Sequence, residues 1–113
     1  MTYAPNMSAA ATTAKVVLVS ASLSPPARGT NTWTIKVTDA QGNAIPNATV
    51  TAKPFMPDHG HGSSVEPVVT ANPDGTFAVT PLYLFMPGLW QITFTVKTAT
   101  TSDDVVFSFC VAG

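Results

Sequence analysis

Regular alternation of apolar and polar residues is the feature that most constrains the fold of this chain. In "TWTIKVTD" the apolar residues are Trp33, Ile35 and Val37, and in "WQITFTVK", residues 90–97, every second residue is again apolar. Successive side chains of a β-strand point to opposite faces, so a period of two predicts a strand with one buried and one solvated face. The sequence therefore predicts antiparallel sheets, each with an apolar face to cover.

Turn-forming segments separate these two strands from five others. "SPPARG", "DAQGNAIPN", "ANPDG" and "FMPG" contain the Pro, Gly, Asn and Asp residues that fix or permit turn dihedrals. The further predicted strands are residues 15–21, 48–53, 65–70, 76–80 and 105–111. Seven short strands at this spacing predict an all-β fold, a seven-stranded β-sandwich, and an immunoglobulin-like Greek key is the commonest topology for this size.

The length of 113 residues predicts a single domain. Residues 1–14, "MTYAPNMSAAATTA", are small and uncharged, and we expect a flexible lead-in before a sandwich domain at 15–113. Such a stretch is typical of a chain whose signal sequence or lipid anchor has been replaced by a start codon, which predicts a periplasmic or otherwise extracytoplasmic protein. No run of about 20 apolar residues is present, so we expect no membrane span in this chain.

The charge pattern argues against nucleic acid as a partner. Charged residues make up 10% of the chain, the formal net charge is -1, and the five basic residues are scattered. A nucleic-acid or anionic-lipid surface needs clustered basic residues. The single cysteine, Cys110, permits no intrachain disulfide and alternates with Phe107 and Phe109, so we expect it on the opposite face of its strand, outside any site, and its role stays open.

The segment "FMPDHGHGSS", residues 55–64, contains Met56 and both histidines, His59 and His61. Neutral imidazole nitrogen and thioether sulfur suit copper, above all Cu(I), and offer little to magnesium or calcium. The two histidines are two residues apart, so both rings leave the same side of an extended backbone. The intervening glycines permit the unusual dihedrals that help the rings converge.

Met86 stands in the same local context, Phe-Met-Pro, at the end of another predicted strand. Strand ends gather at the two poles of a sandwich, so Met86 and Met56 can meet and, with the two imidazoles, form a soft site with four ligands. Two other interpretations remain open. The methionines can simply pack while the loop binds nothing, or Cu(II) or Zn(II) can bind the imidazoles and Asp58 without the thioethers.

Two neighbouring residues are candidates for supporting roles. Asp58 can accept the second N–H of a ligating histidine, although a solvated loop acid is the simpler interpretation. Trp90 continues the apolar side of its strand and is predicted to be a core residue that can also shield a metal. We expect no enzymatic activity, because there is no Gly-x-Ser-x-Gly elbow and the histidines share a glycine loop with no rigid partner.

Residues 44–96 resemble the YtkA-like group, which includes FixH-type proteins. The resemblance rests on a Met-Pro and His-Gly loop, a Gly-Thr-Phe strand, and Met-Pro-Gly-x-Trp before a further strand. It implies an extracytoplasmic β-sandwich associated with copper handling or with the assembly of copper-containing oxidases. The residues carried over are Met56-Pro57, His59-Gly60-His61-Gly62, Met86-Pro87-Gly88 and Trp90. The pair Asp58-His59 departs from the small residue, often followed by methionine, that members are expected to carry.

Together these features predict a copper-binding protein, an extracytoplasmic carrier or buffer in which Met56, His59, His61 and Met86 bind the metal, with Cu(I) favoured. Its expected partner is a protein that donates or accepts copper. The alternative is an immunoglobulin-like structural or interaction module of an exported protein that binds no metal. The oligomeric state stays open.

Overall fold

The computed structural model describes residues 4, 6–45 and 47–112, and within them the regular structure is entirely β. The strands are β1 (Ser8–Ala10), β2 (Lys15–Ser22), β3 (Gly29–Thr38), β4 (Thr49–Met56), β5 (His61–Gly62), β6 (Val68–Ala71), β7 (Thr76–Leu84), β8 (Gly88–Lys97) and β9 (Ser102–Val111). None of the described residues lies in a helix that is long and apolar enough to cross a membrane.

The strands form two antiparallel sheets. One has the order β1-β2-β3-β7-β6 and the other the order β5-β4-β8-β9. The prediction of an all-β sandwich is confirmed, but the count of seven strands is wrong, because the described residues form nine. The additional strands, β1 and β5, have three and two residues and lack the longer alternation that predicts a strand.

The core lies between the sheets and is built from the alternating apolar residues. Trp33 and Ile35 of β3 and Ile92 and Phe94 of β8 are fully buried, as the period of two predicts. Aromatic rings dominate this core, and the ring of Trp33 lies 5.7 Å from that of Phe107 in an edge-to-face arrangement. The polar residues that alternate with these apolar residues along β3 and β8 lie on the outer faces of the sheets.

β1 is formed by residues that the sequence analysis places in a flexible lead-in. Ser8 pairs with Val17 and Ala10 with Lys15, and the Met7 carbonyl accepts a hydrogen bond from Leu18 N at 2.9 Å. The edge of β2 offers unpaired backbone groups, and even a short stretch without β-forming residues can satisfy them. The structure thus assigns residues 8–10 of the predicted lead-in to a strand, while residues 1–3 and 5 lie outside the described residues.

Two strands continue through a proline at which the sequence analysis ends them. β4 extends past Pro54 to Met56, where β5 pairs only with the last two residues of β4, so Pro54 has a strand neighbour on one side only. β7 extends past Pro81 to Leu84, and Pro81 lies where the register between β3 and β7 shifts. Proline is tolerated at strand edges and bulges because no ladder hydrogen bond is required of it there.

These extensions determine where the candidate ligands lie. β4 and β7 end, and β8 begins, at the same end of the sandwich, which we call the site pole. The opposite pole holds the connection from β8 to β9 and the start of β4.

Candidate metal site

A tight hairpin between β4 and β5 carries both histidines. Met56 pairs with His61 across the hairpin, and the Met56 carbonyl accepts hydrogen bonds from His59 N at 3.2 Å and Gly60 N at 2.9 Å. Gly60 has a φ of 68°, a left-handed conformation that glycine adopts without a Cβ penalty. The turn thus places His59 at its apex and His61 on the returning strand.

The two imidazoles are exposed and close together. Their ring centroids lie 5.7 Å apart with the planes at 26°. Two imidazoles that share an ion have centroids at most about 6.5 Å apart, because each metal–nitrogen bond is about 2.1 Å long. The centroid spacing of His59 and His61 lies within this limit.

A hydrogen bond is available to fix the tautomer of His61. Its Nδ1 lies 3.2 Å from the Gly62 carbonyl oxygen. When Nδ1 carries the proton and donates to that oxygen, Nε2 has its lone pair available for a metal.

The second Phe-Met-Pro segment lies against the hairpin. The Phe85 ring stacks on that of His61, with centroids 5.6 Å apart and planes at 23°. Phe85 also meets Trp90 edge to face at 5.7 Å and Tyr83 at 5.9 Å. The two segments that the sequence analysis pairs therefore do lie at the same pole.

Met86, which directly follows Phe85, is half-buried at this pole. Its carbonyl accepts a hydrogen bond from Trp90 Nε1 at 3.0 Å, and Trp90 itself is fully buried. Trp90 is thus a core residue, as predicted, and its indole N–H anchors the backbone that carries Met86.

Met56 occupies a different environment, because its side chain is fully buried. A Cβ built on Gly88 would lie 3.0 Å from Met56 Cε, so the tip of Met56 packs where only a glycine leaves room. Of the candidate ligands, the two histidines are exposed, Met86 is half-buried and Met56 lies beneath the surface. Met56 is therefore the most deeply buried of the four candidate ligands.

Carboxylates and thiols contribute little at this pole. No group of three or more His, Cys, Asp and Glu residues that could hold a metal occurs among the described residues. Asp58 is exposed in the turn, and Cys110 is exposed on β9, on the face opposite Phe107 and Phe109. A metal site formed by this pole would accordingly depend on imidazole and thioether groups.

Two residues of the pole, Phe85 and Ser63, are absent from the predicted site, and Gly88 enters the prediction only as part of the Met-Pro-Gly motif. Phe85 covers one face of His61, Gly88 makes room for Met56, and Ser63 Oγ donates to the Tyr83 carbonyl at 2.7 Å. The repeated Phe-Met-Pro context indicates Phe85 in the sequence, whereas a contact between sheets, such as that of Ser63, has no local signal.

The fold and the candidate site together define a class of protein, a compact β-sandwich with imidazole and thioether side chains at one pole. The chain belongs to the YtkA-like family, whose model matches residues 8–95, a stretch that includes all four candidate ligands. No curated protein is significantly similar in sequence.

Solved structures of similar fold include two of FetP from uropathogenic Escherichia coli. A copper-bound FetP variant has a TM-score of 0.59 and 11% identity, with 96% of this chain and 95% of that chain covered. FetP expressed recombinantly in the periplasm has a TM-score of 0.60 and 13% identity, with 98% of this chain and 96% of that chain covered. At these identities the likeness establishes the fold.

Proposed function

We propose that the protein binds copper at the site pole and carries or buffers it outside the cytoplasm. The proposed ligands are His59, His61, Met86 and Met56, with Cu(I) favoured because two thioethers and two imidazoles form a soft donor set. The observation that carries the proposal is the stacking of His61 on Phe85 at 5.6 Å, which joins the two Phe-Met-Pro segments.

The exposure of the imidazoles supports a carrier rather than a permanent cofactor site. A carrier exchanges its ion with a partner protein, so some ligands must be reachable from solvent, and His59 and His61 are exposed at a strand-end turn. We propose that the protein has no catalytic role. The partner is a protein that donates or accepts copper through ligands of its own.

Membership of the YtkA-like family and the copper-bound FetP structure of similar fold both support this proposal. The periplasmic expression of FetP supports an extracytoplasmic location for this chain.

Titration with Cu(I) against a competing chelator tests the copper proposal. The parent protein should bind one equivalent, and the double variant His59→Ala, His61→Ala should lose most of the affinity. Unchanged binding by the double variant would contradict the proposed site. Binding of no Cu(I) by the parent would favour the immunoglobulin-like interaction module.

The thioether ligands have a matched control within the chain. Met86→Leu should weaken Cu(I) binding at least tenfold, because leucine has nearly the same volume and no donor atom. Met7→Leu makes the same change at a buried methionine that directly precedes β1 and should leave binding unchanged. Equal effects of the two substitutions would remove Met86 from the site.

A second candidate, a Cu(II) or Zn(II) site made by the imidazoles and Asp58 without thioethers, is favoured by one observation. Met56 is fully buried, whereas His59, His61 and Asp58 are exposed. This candidate predicts that Met56→Leu and Met86→Leu leave metal affinity unchanged and that Zn(II) competes with copper. Loss of Cu(I) affinity in either methionine variant, with Zn(II) affinity intact, would exclude it.

We also propose that the topology is an immunoglobulin-like Greek key. With the short strands β1 and β5 set aside, the sheet orders are β2-β3-β7-β6 and β4-β8-β9. In chain order these correspond to the A-B-E-D and C-F-G sheets of a constant-type immunoglobulin domain. An experimental structure in which β7 pairs with neighbours other than β3 and β6 would contradict the proposal.

A further inference from the structure

A hydrogen bond at the site pole connects the two sheets. Ser63 Oγ donates to the Tyr83 carbonyl at 2.7 Å. Ser63 directly follows β5, in the four-stranded sheet, and Tyr83 lies in β7, in the five-stranded sheet. The histidine hairpin is thereby tied to the strand that leads into the second Phe-Met-Pro segment.

The hydrogen bond from Ser63 to Tyr83 lies close in sequence to the contact between the His61 and Phe85 rings. His61 is two residues before Ser63, and Phe85 is two residues after Tyr83, and the rings of His61 and Phe85 stack at 5.6 Å. A fixed distance between the two backbones therefore limits how far the two rings can separate.

The hairpin has few other hydrogen bonds to hold this position. β5 pairs with β4 through two residues only, Gly62 with Phe55 and His61 with Met56. Ser63 is half-buried, so solvent competes less for its hydroxyl than for that of an exposed serine. Its Oγ also accepts from Val65 N at 3.3 Å, which helps to orient the hydroxyl toward β7.

We infer that Ser63 is a positioning residue, which holds His61 against Phe85 and thereby sets the distance from the histidine hairpin to Met86. The consequence for copper affinity rests on the proposed function. The consequence for the ring contact does not, and it can be measured without metal.

The metal-free test is the NMR chemical shift of the His61 ring protons at one fixed pH. A stacked phenyl ring displaces these shifts, and Phe85→Leu gives the reference value without that ring. Ser63→Ala should move the His61 shifts most of the way to this reference, while Ser63→Thr, which keeps the hydroxyl, should stay close to the parent. Ser64→Ala, at the exposed neighbouring serine, is the matched control and should also match the parent.

His61 shifts in Ser63→Ala that equal those of the parent would overturn the inference. If Ser63→Ala lowers stability too far for the measurement, Ser63→Cys, which keeps the shape with a weaker donor, should give an intermediate shift. A parent-like shift in Ser63→Cys would then count against the inference.

Copper affinity provides the second readout. Ser63→Ala should weaken Cu(I) binding about three- to tenfold, which is no more than the loss expected when a direct hydrogen-bond partner of a metal ligand is removed. Ser63→Thr should restore the affinity. A variant with displaced His61 shifts and parent affinity would overturn the copper role of Ser63. A parent that binds no Cu(I) would overturn the proposed function, while the shift comparison would still decide the positioning role.

Discussion

At the residue scale, two fully buried tryptophans have opposite hydrogen-bond states. Trp90 Nε1 donates to the Met86 carbonyl at 3.0 Å, whereas Trp33 Nε1 finds no acceptor among the described residues. Both side chains are completely buried and both belong to the alternating pattern of their strands. The alternating pattern predicts the burial of both residues equally well. Only the structure shows that Trp90, and not Trp33, donates a hydrogen bond at the site pole.

This contrast gives a prediction with an internal control. Trp90→Phe should lose about 1–3 kcal/mol more stability than Trp33→Phe, because it removes a made hydrogen bond while the other removes an unsatisfied donor. Chemical denaturation of the two variants measures the difference. Equal losses would show that the bond to Met86 contributes no net stability.

Gly88 is the second residue whose role depends on close packing. It has a φ of 131°, and an added Cβ would lie 3.0 Å from Met56 Cε. Gly88→Ala should therefore destabilise the protein through both backbone strain and displacement of Met56, by about 1 kcal/mol or more beyond the strain alone. Thermal or chemical unfolding measures this loss.

Gly42→Ala is the control for the Gly88 prediction. Gly42 also has a positive φ, 88°, but has open space where a Cβ would be. Gly42→Ala should therefore show the destabilisation caused by backbone strain without any loss from displaced packing. A Gly42→Ala variant as unstable as Gly88→Ala would contradict the contact between Gly88 and Met56.

At the element scale, each pole of the sandwich has a hydrogen bond that links the two sheets. At the site pole it runs from Ser63 to Tyr83. At the opposite pole, Thr13, between β1 and β2, donates its N–H to Asp103 Oδ2 of β9 at 2.6 Å, and the Thr13 hydroxyl donates to the same oxygen. The turn between β1 and β2 is thereby joined to β9.

The bond to Asp103 predicts a pH dependence of stability. The side-chain hydrogen bond from Thr13, followed by the Thr13 backbone N–H, lowers the pKa of Asp103 below its ordinary value of 3.8. A carboxyl group with a depressed folded-state pKa stabilises the fold above its unfolded pKa, and this contribution is lost as the pH falls through the folded value. Asp103→Asn should thus reduce stability at neutral pH, with a difference from the parent that shrinks below about pH 3.8.

Denaturation curves of the parent and Asp103→Asn across this pH range measure the effect. Glu66→Gln, at an exposed acid of the β5–β6 connection, is the control and should follow the parent more closely. A constant difference between Asp103→Asn and the parent at all pH values would contradict the linkage. Cu(I) affinity should be unchanged in Asp103→Asn, because Asp103 lies at the pole opposite the candidate site.

At the scale of the whole molecule, the sandwich separates a packed interior from the pole that holds the candidate ligands. The two sheets bury the aromatic core, while β4, β7 and β8 bring their ends to the site pole. An ion bound there would contact both sheets, through the histidine hairpin of one and the Met86 segment that extends from the other. Binding should accordingly stabilise the entire fold rather than one loop.

Cu(I) at one hundred times its Kd should raise the unfolding free energy by about 2.7 kcal/mol, by mass action. Thermal unfolding under reducing, anaerobic conditions should show a concentration-dependent increase in Tm. The double variant His59→Ala, His61→Ala should show little of this increase. An equal increase in the double variant would mean that copper binds elsewhere.

Much of the architecture follows from local sequence signals. The alternation in β3 and β8 predicts both the strands and their buried faces, and Cys110 lies on the exposed face that its position in β9 predicts. Errors arise where a local signal competes with a pairing partner. β1 and β5 form because a neighbouring strand edge is available, and β4 and β7 pass through Pro54 and Pro81 because those positions need no ladder hydrogen bond.

The sequence by itself determined the two-layer β architecture and the chemical character of the candidate ligands, because side-chain alternation and donor type are local properties. Tertiary structure decided that the two Phe-Met-Pro segments share a pole, that Met56 is buried beneath it and that Ser63 links the sheets. Each of these depends on contacts between residues of different strands. Their distances are set by sheet pairing and by the packing of one sheet on the other, which no short stretch of sequence encodes.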